Sequence, residues 1–445
     1  MTVHLPPDTQ KPPHPFWLMI LYLPFGASGG YFIVTLGYLL PKGGVGVAEV
    51  AALIALFTLP NTWKVLWAPI IDTTLTARAW YIIAAVTTGL IMIGTAFVPA
   101  EPGQLGLLHI LALLSSITSS VTAMSAERLM AHTTPDHLRG RAGGWSQAGN
   151  LGGQGFGGGM CLWLAQNVSA ASSGIALGIG MVLCCLALLP YDEPKDDTRL
   201  NYGQAIVGLG KDIWSIGLSR VGFLTMFLFI LPIGTGAASN LWSSIATEWS
   251  ADGDTVALVN GLLNGVASMV GCLIGGYASD IIERKTGYAL FGIILAVCAV
   301  AMALSPRTVL MYEVFVLTYA VITGFCYASF SAVTLETIGK GAAATKYNLL
   351  ACISNIPIWY MTLVDGWVHD GCKDFSWDIG GFSVLGLQIP LLHEDFNFTW
   401  ARGTCTGGST QMLYAEALIA VIAIVLFGVV ALVTWRPKAA AAKAA

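Results

Sequence analysis

The stretch that decides the fold is LPNTWKVLWAPIID, which covers residues 59–72. It places Asn61, Lys64 and two prolines near the end of an apolar run that starts near residue 48 and is long enough to cross a bilayer. Hydrocarbon tolerates such residues only where protein or water surrounds them. We therefore expect the inner end of a membrane helix that faces other helices, followed by a short loop starting at Asp72.

Composition places the whole chain in lipid. Of 445 residues, 55% are hydrophobic and only 10% are charged, and the mean hydropathy is +0.71. Such a chain cannot present the charged surface of a soluble domain, so we expect a polytopic membrane protein. The net charge of -4 and the lack of any run of basic residues argue against a nucleic-acid partner. We expect lipid and a small-molecule substrate as partners, a monomer, and no cofactor.

A window of about 20 apolar residues predicts an all-α fold with twelve transmembrane helices. Basic residues concentrate in the segments that are inner if the amino terminus is inside, which puts both termini in the cytoplasm. The first apolar run is longer than a signal-peptide core and should be retained. The twelve predicted helices cover 16–39, 48–70, 79–98, 105–131, 143–165, 171–190, 215–238, 255–279, 286–304, 308–334, 346–368 and 411–435.

The chain divides into two similar halves. Asp72 and Asp280 end the second and eighth helices 208 positions apart, and Glu127 and Glu336 end the fourth and tenth 209 positions apart. Two similar halves that rock about a shared site are typical of secondary transporters. The predicted domains are a six-helix bundle at 1–190, a charged cytoplasmic linker at 191–214, and a second bundle at 215–445 with a long outer loop at about 369–410.

Two motifs carry a resemblance to a known family. The segments WAPIID at 67–72 and RGRAGG at 139–144 resemble the muropeptide permease (AmpG-like) and acetyl-coenzyme A transporter branch of the major facilitator superfamily. Residues 276–285 are similar to the superfamily's general loop motif. The resemblance implies two six-helix bundles around a central cavity that opens to one side at a time. The chain departs from related permeases on the fourth helix, where TAMSAER at 122–128 lacks one acid and has Glu127 in place of another.

The resemblance also implies that the loop motifs act as a conformational latch. Acids near helix ends can pair with arginines of a neighbouring helix and hold the inner ends of the bundles together in one state. The alternative is that the basic residues serve only as topology signals. The latch residues expected are Asp72, Arg128, Arg139, Arg141, Asp280, Arg284 and Lys285.

Polar residues inside the helices are candidates for a substrate or proton pathway, because each is costly in hydrocarbon unless it faces a cavity or a partner. Lys64 and Glu127 lead, as a pair able to exchange with substrate or a proton. The alternatives are that Lys64 snorkels to headgroups and that Glu127 forms an ion pair at a helix end. Packing hydrogen bonds between helices could equally explain any one of the others, which are Tyr31, Asn61, Asn150, Gln154, Asn260, Asn264, Asn355 and Trp359.

Glycine and cysteine placement adds two expectations. The glycine-rich run at 149–159 should allow close approach and sliding of helices at a gating seam. Cys372 and Cys405 flank the long outer segment, where an oxidising exterior would permit a disulfide. Because this segment contains several aromatic residues, we expect it to pack over the outer mouth of the protein.

The function predicted is secondary active transport of a small polar organic solute by alternating access. We expect proton-coupled import, muropeptide-like, across a bacterial inner membrane. Acyl-coenzyme A, siderophores and sugars are alternative cargoes, and a non-transporting assembly or delivery protein is an alternative class. An intramembrane serine hydrolase built on Ser28 is the rival enzyme, but the helix-embedded serine lacks the strand-turn-helix context of a nucleophile elbow. We expect no catalysis.

Overall fold

The computed structural model describes residues 13–134, 139–191, 202–338, 343–372 and 407–434, together with four short strands between residues 375 and 396. Helix dominates because a lipid-embedded backbone must satisfy its polar groups within each segment. The all-α class is confirmed, and the helical segments follow the predicted order. They are Phe16–Gly30 with Tyr31–Leu36 and Gly37–Lys42, Val47–Thr58 with Leu59–Thr62, Lys64–Leu66 and Ala68–Thr73, Ala77–Ala96, Leu105–Thr133, Arg139–Asn167, Ala170–Leu183 with Cys184–Leu188, Arg220–Ile230 with Ala237–Leu241, Trp242–Ile245 and Ala246–Trp249, Gly253–Val256 with Ala257–Leu263 and Asn264–Ile281, Arg284–Leu304, Val309–Ile338, Ala343–His369 and Ser409–Thr434.

We call these segments the first to the twelfth helix. Within the part of the chain that the structure describes, nine of them are long and apolar enough to cross a membrane. The second, fifth and seventh do not meet that criterion. The second is interrupted by short 3₁₀ turns around Lys64, the fifth is rich in glycine, and the seventh is broken in its middle.

The seventh helix departs from its predicted bounds of 215–238. It starts at Arg220, leaves helical geometry after Ile230, and resumes at Ala237 to continue as far as Trp249. Pro232 lies in the break, where it cannot donate a helical hydrogen bond, and Gly236 takes a left-handed conformation with φ 67°. Residues 215–218 belong instead to a separate helix, Tyr202–Leu218, which we call the linker helix.

Two of the helices contain a wide π-helical section. Tyr31–Leu36 interrupts the first helix, and Ala257–Leu263 interrupts the eighth. Each section holds one more residue per hydrogen-bonded turn than an α-helix does, a feature that is often found at functional sites.

Glycine brings the first and fifth helices into backbone contact. A Cβ added to Gly26 would lie 2.0 Å from the carbonyl oxygen of Asn150, and one added to Gly30 would lie 2.0 Å from that of Gln154. No side chain fits at these crossings, so the two backbones can make close dispersion contacts there.

A second glycine seam joins the two halves of the chain. Gly155 and Gly159 of the fifth helix face Gly261 and Ala257 of the eighth, and Cβ atoms built on the first two would lie 2.6 and 2.5 Å from the facing carbonyl oxygens. The predicted close approach at 149–159 is therefore present, on both sides of the fifth helix. Its role in gating stays a prediction.

The outer segment between the eleventh and twelfth helices contains short paired strands. Phe375–Ile379 pairs antiparallel with Leu392–Phe396, and Phe382–Val384 pairs with Leu387–Ile389. The side chains of this segment lie outside the described part of the structure, so the expected packing over the outer mouth stays a prediction.

Candidate functional site

Lys64 and Glu127 form an ion pair near the inner ends of the second and fourth helices. Lys64 Nζ lies 3.6 Å from Glu127 Oε1, and the two side chains are 11% and 25% exposed. The short turn Lys64–Leu66 follows a proline-containing turn, which takes the lysine out of regular helix and lets it reach the neighbouring helix. The two leading candidates from the sequence are thus brought together.

The eleventh helix, which belongs to the other half, also reaches this pair. Asn348 Nδ2 donates to Glu127 Oε2 over 3.4 Å. Beside it, Val65 packs with the buried side chains of Leu349 and Cys352, and Ile213 of the linker helix packs against the same cluster. Glu127 therefore has one partner in each half of the chain, as expected for a group whose contacts change when the halves move apart.

A polar cavity lies between the halves beside the glycine seam. Its volume is about 40 Å³, room for water but less than the roughly 300–1,000 Å³ of small-molecule sites, so the halves are closed around it in this structure. Its lining contains three of the predicted pathway residues, Gln154, Asn260 and Asn264, and three serines. None of the described residues that line it is charged. The serines are Ser239, Ser243 and Ser268.

Asn260 is held in place by its neighbours. Its Nδ2 donates to Tyr312 Oη at 2.7 Å and to Ser243 Oγ at 3.0 Å, while its Oδ1 accepts no hydrogen bond from any described residue. A fixed amide with a free acceptor at a cavity wall can take a hydrogen bond from a hydroxyl or amide of a solute. This is the chemistry of a site for a neutral or zwitterionic ligand.

The other predicted pathway residues lie away from this cavity's lining. Tyr31 is buried in the π-helical section of the first helix, and Asn61 is buried three positions before Lys64. Asn150 donates to Gln147 at 3.4 Å, and Asn355 donates to a carbonyl of its own helix. Trp359 Nε1 is buried and donates to no described group. Their place on a pathway remains a prediction.

The predicted latch is described only in part. Arg128 donates to the carbonyls of Ile71 at 2.7 Å and Leu75 at 3.1 Å, which anchors the fourth helix to the inner end of the second. Arg284 lies 3.5 Å from Glu336 across the inner ends of the ninth and tenth helices. Lys285 interacts electrostatically with Glu283. The side chains outside the described part of the structure are those of Asp72, Arg139, Arg141 and Asp280.

An outer cluster, which the sequence reasoning missed, holds the two halves together at the other face. His369 Nε2 lies 2.6 Å from Glu248, its Nδ1 lies 2.9 Å from Asp370, and Asp370 accepts a 2.8 Å hydrogen bond from the backbone of Ala48 in the other half. Ser409 Oγ donates to Glu248 at 2.5 Å. Partial burial alone would raise the pKa of Glu248, but the hydrogen bonds from His369 and Ser409 hold that pKa below its usual value.

One of the two cysteines of the predicted disulfide lies in the described part of the chain. Cys372 is disulfide-bonded, and the seven cysteines inside the described helices are free thiols. Cys405 lies outside the described residues. Its pairing with Cys372 is our proposal, since no other cysteine remains in the sequence.

Ser28, the rival nucleophile, donates to the carbonyl of Phe25 in its own helix at 2.8 Å and is fully buried. The hydroxyl hydrogen is thus donated to the backbone instead of to a base, and the buried oxygen offers no approach for substrate.

Helical halves with a polar cavity at their interface are the architecture of many secondary transporters. The sequence profile of the Major Facilitator Superfamily matches residues 18–358. The chain belongs to the Major Facilitator Superfamily and is an integral membrane protein.

Individual relatives and solved structures are similar to this chain, but at identities too low to identify the transported solute. The chain is 22% identical over 345 residues to the anhydromuropeptide permease of Escherichia coli (strain K12), and the alignment covers 74% of this chain and 70% of that protein. Among solved structures, the nucleoside transporter NupG aligns with a TM-score of 0.64 at 11% identity, over 95% of this chain and 99% of that one. A POT family transporter in complex with a thioalcohol-conjugated peptide aligns with a TM-score of 0.67 at 9% identity, over 95% and 96%. These structures share the fold.

Proposed function

We propose that the chain is a secondary active transporter that moves a small polar organic solute by alternating access between its two halves. The observation that carries this proposal is the uncharged polar cavity at the interface, walled by Gln154 and Asn264 from opposite halves. A site at the joint of two bundles is exposed to either side when the bundles rock. The proposed domains are a first bundle at 1–190, a linker from residue 191 to the end of the linker helix at Leu218, four residues beyond the expected 191–214, and a second bundle that follows it to residue 445.

The cavity chemistry supports a muropeptide-like cargo over acyl-coenzyme A. Sugar hydroxyls and peptide amides both donate and accept hydrogen bonds, which matches a wall of amides and serines. Coenzyme A carries several phosphate charges, and no described residue lining the cavity supplies a compensating cation. The name of the 22% identical relative, an anhydromuropeptide permease, agrees with this choice.

The Lys64–Glu127 pair is the proposed point at which cargo or a proton exchanges with the protein. Each partner compensates the other's charge in the membrane, so a solute or proton that takes one partner frees the other. Loss of the Asn348 contact on separation of the halves would accompany that exchange. We propose import driven by a proton gradient across a bacterial inner membrane, with both termini in the cytoplasm and the protein acting as a monomer.

Uptake into proteoliposomes tests the function. Labelled anhydromuropeptide should accumulate when a pH gradient is imposed, and collapse of the gradient should abolish accumulation. Asn264→Leu should lower uptake, whereas Glu101→Gln at an exposed outer position should not. Thermal stabilisation of the purified protein by anhydromuropeptide, compared with siderophores and simple sugars, identifies the cargo class, because a ligand stabilises the state that it binds. Stabilisation without any uptake would favour the assembly or delivery class.

A further inference from the structure

Two carboxyl groups are buried together inside the second bundle, away from the interface cavity. Asp365 of the eleventh helix is fully buried, and Glu416 of the twelfth is 6% exposed. The eleventh and twelfth helices pack against each other, and the two carboxyl groups interact electrostatically across that contact. Two buried carboxylates without a cation would repel each other strongly, so one of them must be neutral unless a positive charge lies nearby.

The surroundings of the pair supply no such charge among the described residues. The titratable groups that interact with Glu416 from neighbouring helices are Asp365, Tyr319 of the tenth helix and Cys298 of the ninth. None of these can be a cation. Since no described residue can neutralise the pair, a proton or a bound ion is the remaining source of neutralisation.

Three of the four carboxyl oxygens are unused by the described protein. Tyr319 Oη donates to Glu416 Oε1 at 2.7 Å, and the backbone N–H of Ala238 points to the same oxygen at 3.5 Å. Glu416 Oε2 and both oxygens of Asp365 accept no hydrogen bond from a described group. Buried carboxyl oxygens without a protein partner require a water, a proton or an ion to satisfy them.

A small cavity borders Glu416 at the break in the seventh helix. Its volume is about 10 Å³, room for about one water molecule, and its lining includes Tyr319 together with Pro232, Gly234 and Thr235 of the break. Non-helical backbone at membrane depth is tolerated where it lines such a cavity. The pair is thus buried in this state, and Glu416 borders a cavity formed in part by a segment that is not regular helix.

Buried contacts connect the pair to the interface cavity. The Tyr319 ring packs edge-on against Trp242, with centroids 5.2 Å apart. The carbonyl of Trp242 accepts a 2.7 Å hydrogen bond from Tyr312, which in turn accepts from Asn260 at the wall of the interface cavity. A change of charge at Glu416 acts directly on Tyr319, and this chain runs from there to Asn260.

We propose that Asp365 and Glu416 together bind one exchangeable proton, and that this second-bundle site is a proton-binding site separate from the Lys64–Glu127 pair. A proton neutralises one carboxyl, which removes the repulsion without the roughly six to eight oxygen ligands that a metal cation such as Ca²⁺ requires. Proton binding here can be measured without transport, although its use in coupling rests on the proposed function.

Infrared difference spectroscopy of the purified, membrane-reconstituted protein across a pH series tests the proposal. Wild-type protein should show the C=O stretch of a protonated carboxylic acid that shifts in D₂O, and this band should be lost in Asp365→Asn and in Glu416→Gln. Glu101→Gln, at an exposed position, should keep it. Tyr319→Phe should keep the band at a shifted frequency, because it removes only the hydrogen bond to Glu416.

The outcomes separate this site from the transport proposal. No protonated-carboxyl band in wild type, or a band that persists in both carboxyl variants, would overturn the inference even if uptake is proton-driven. Displacement of the band by Na⁺ at constant pH would show a metal-cation site and also overturn it. If a carboxyl variant fails to fold, the D₂O shift in wild type and the frequency change in Tyr319→Phe still decide. A band that behaves as expected in protein without uptake would uphold the site and reject the transport function.

Discussion

A single methyl group at the seam between the halves should shift the balance between the two transport states. A Cβ on Gly155 would lie 2.6 Å from the carbonyl oxygen of Gly261, whereas real Cβ atoms essentially never approach below 3.0 Å and ordinary contact begins at 3.4 Å. In Gly155→Ala the fifth and eighth helices must therefore separate by about 0.4–0.8 Å. Overpacking of this kind costs about 1–3 kcal/mol.

Because the strained contact joins the halves, the cost destabilises only the conformation in which the fifth and eighth helices are in contact, relative to the conformation in which they are apart. A bias of about 1–3 kcal/mol changes the population ratio of two states by roughly 5–150-fold. Distances between spin labels at exposed outer positions of the two halves, Gly103 and Pro306, report it. Gly155→Ala should add or enlarge a long-distance population that corresponds to an open outer face.

Neighbouring glycines provide matched controls. A Cβ on Gly152 meets nothing within 4 Å, so Gly152→Ala should leave both the distances and the melting temperature unchanged. A Cβ on Gly153 meets Leu23 of the same half at 2.7 Å, so Gly153→Ala should lower the melting temperature without moving the distance distribution. If Gly155→Ala and Gly152→Ala give the same distribution, the seam does not set the balance and the reasoning fails.

Further predictions concern charges and the outer segment. Lys64→Met or Glu127→Gln alone should lower the free energy of unfolding by roughly 2–3 kcal/mol, less than for a fully buried pair because the Glu127 side chain is 25% exposed. In a double-mutant cycle measured by thermal melts, the double variant should lose less than the sum of the two single variants. Additive losses would contradict the pairing. His369→Gln should lengthen the distance between the outer spin labels, because the variant removes the positive charge that faces Glu248 and Asp370. Unchanged distances would count against a role of this cluster in holding the outer face closed. The pKa of Glu248 is lowered in the folded protein, so ionised Glu248 stabilises the fold. This contribution is complete above the unfolded-state pKa of about 4.3 and is lost as the pH falls through the lower folded-state pKa. The same pH dependence of the melting temperature in wild type and Glu248→Gln would refute this. Cys372→Ser should destabilise the oxidised protein by about 3–4 kcal/mol but leave the reduced protein unaffected, and Cys405→Ser, tested alongside, should match it if the two are bridged.

The helices were predictable because the bilayer imposes their length and apolar content. The Lys64–Glu127 contact was also predictable, since two costly charges at one depth on adjacent helices have few other ways to be compensated. The broken seventh helix was not, because an average over about 20 residues hardly responds to Pro232 and Gly236 inside an apolar run. At this position Pro232 and Gly236 break the helix although the mean hydropathy of the segment predicts a continuous one.

Residues that meet only in three dimensions were missed. Glu248 and Ser409 are 161 positions apart, and nothing in their local sequence relates them. Asp365 and Glu416 each stood as a lone acid in an apolar run, and that signal alone could have marked them as functional candidates. Their pairing could not be read, since it depends on how the eleventh and twelfth helices pack.

The wide section Ala257–Leu263 determines which side chains the eighth helix shows to the cavity. One residue corresponds to about 100° of rotation in an α-helix. If this section tightened into regular α-helix, the helix on one side of it would turn by about that angle relative to the other side, and the face that carries Asn260 and Asn264 would no longer be held toward the cavity. The additional residue thus sets the direction in which the cavity-lining face of the eighth helix points, and a one-residue deletion outside the lining positions would rotate that face without altering the composition of the wall.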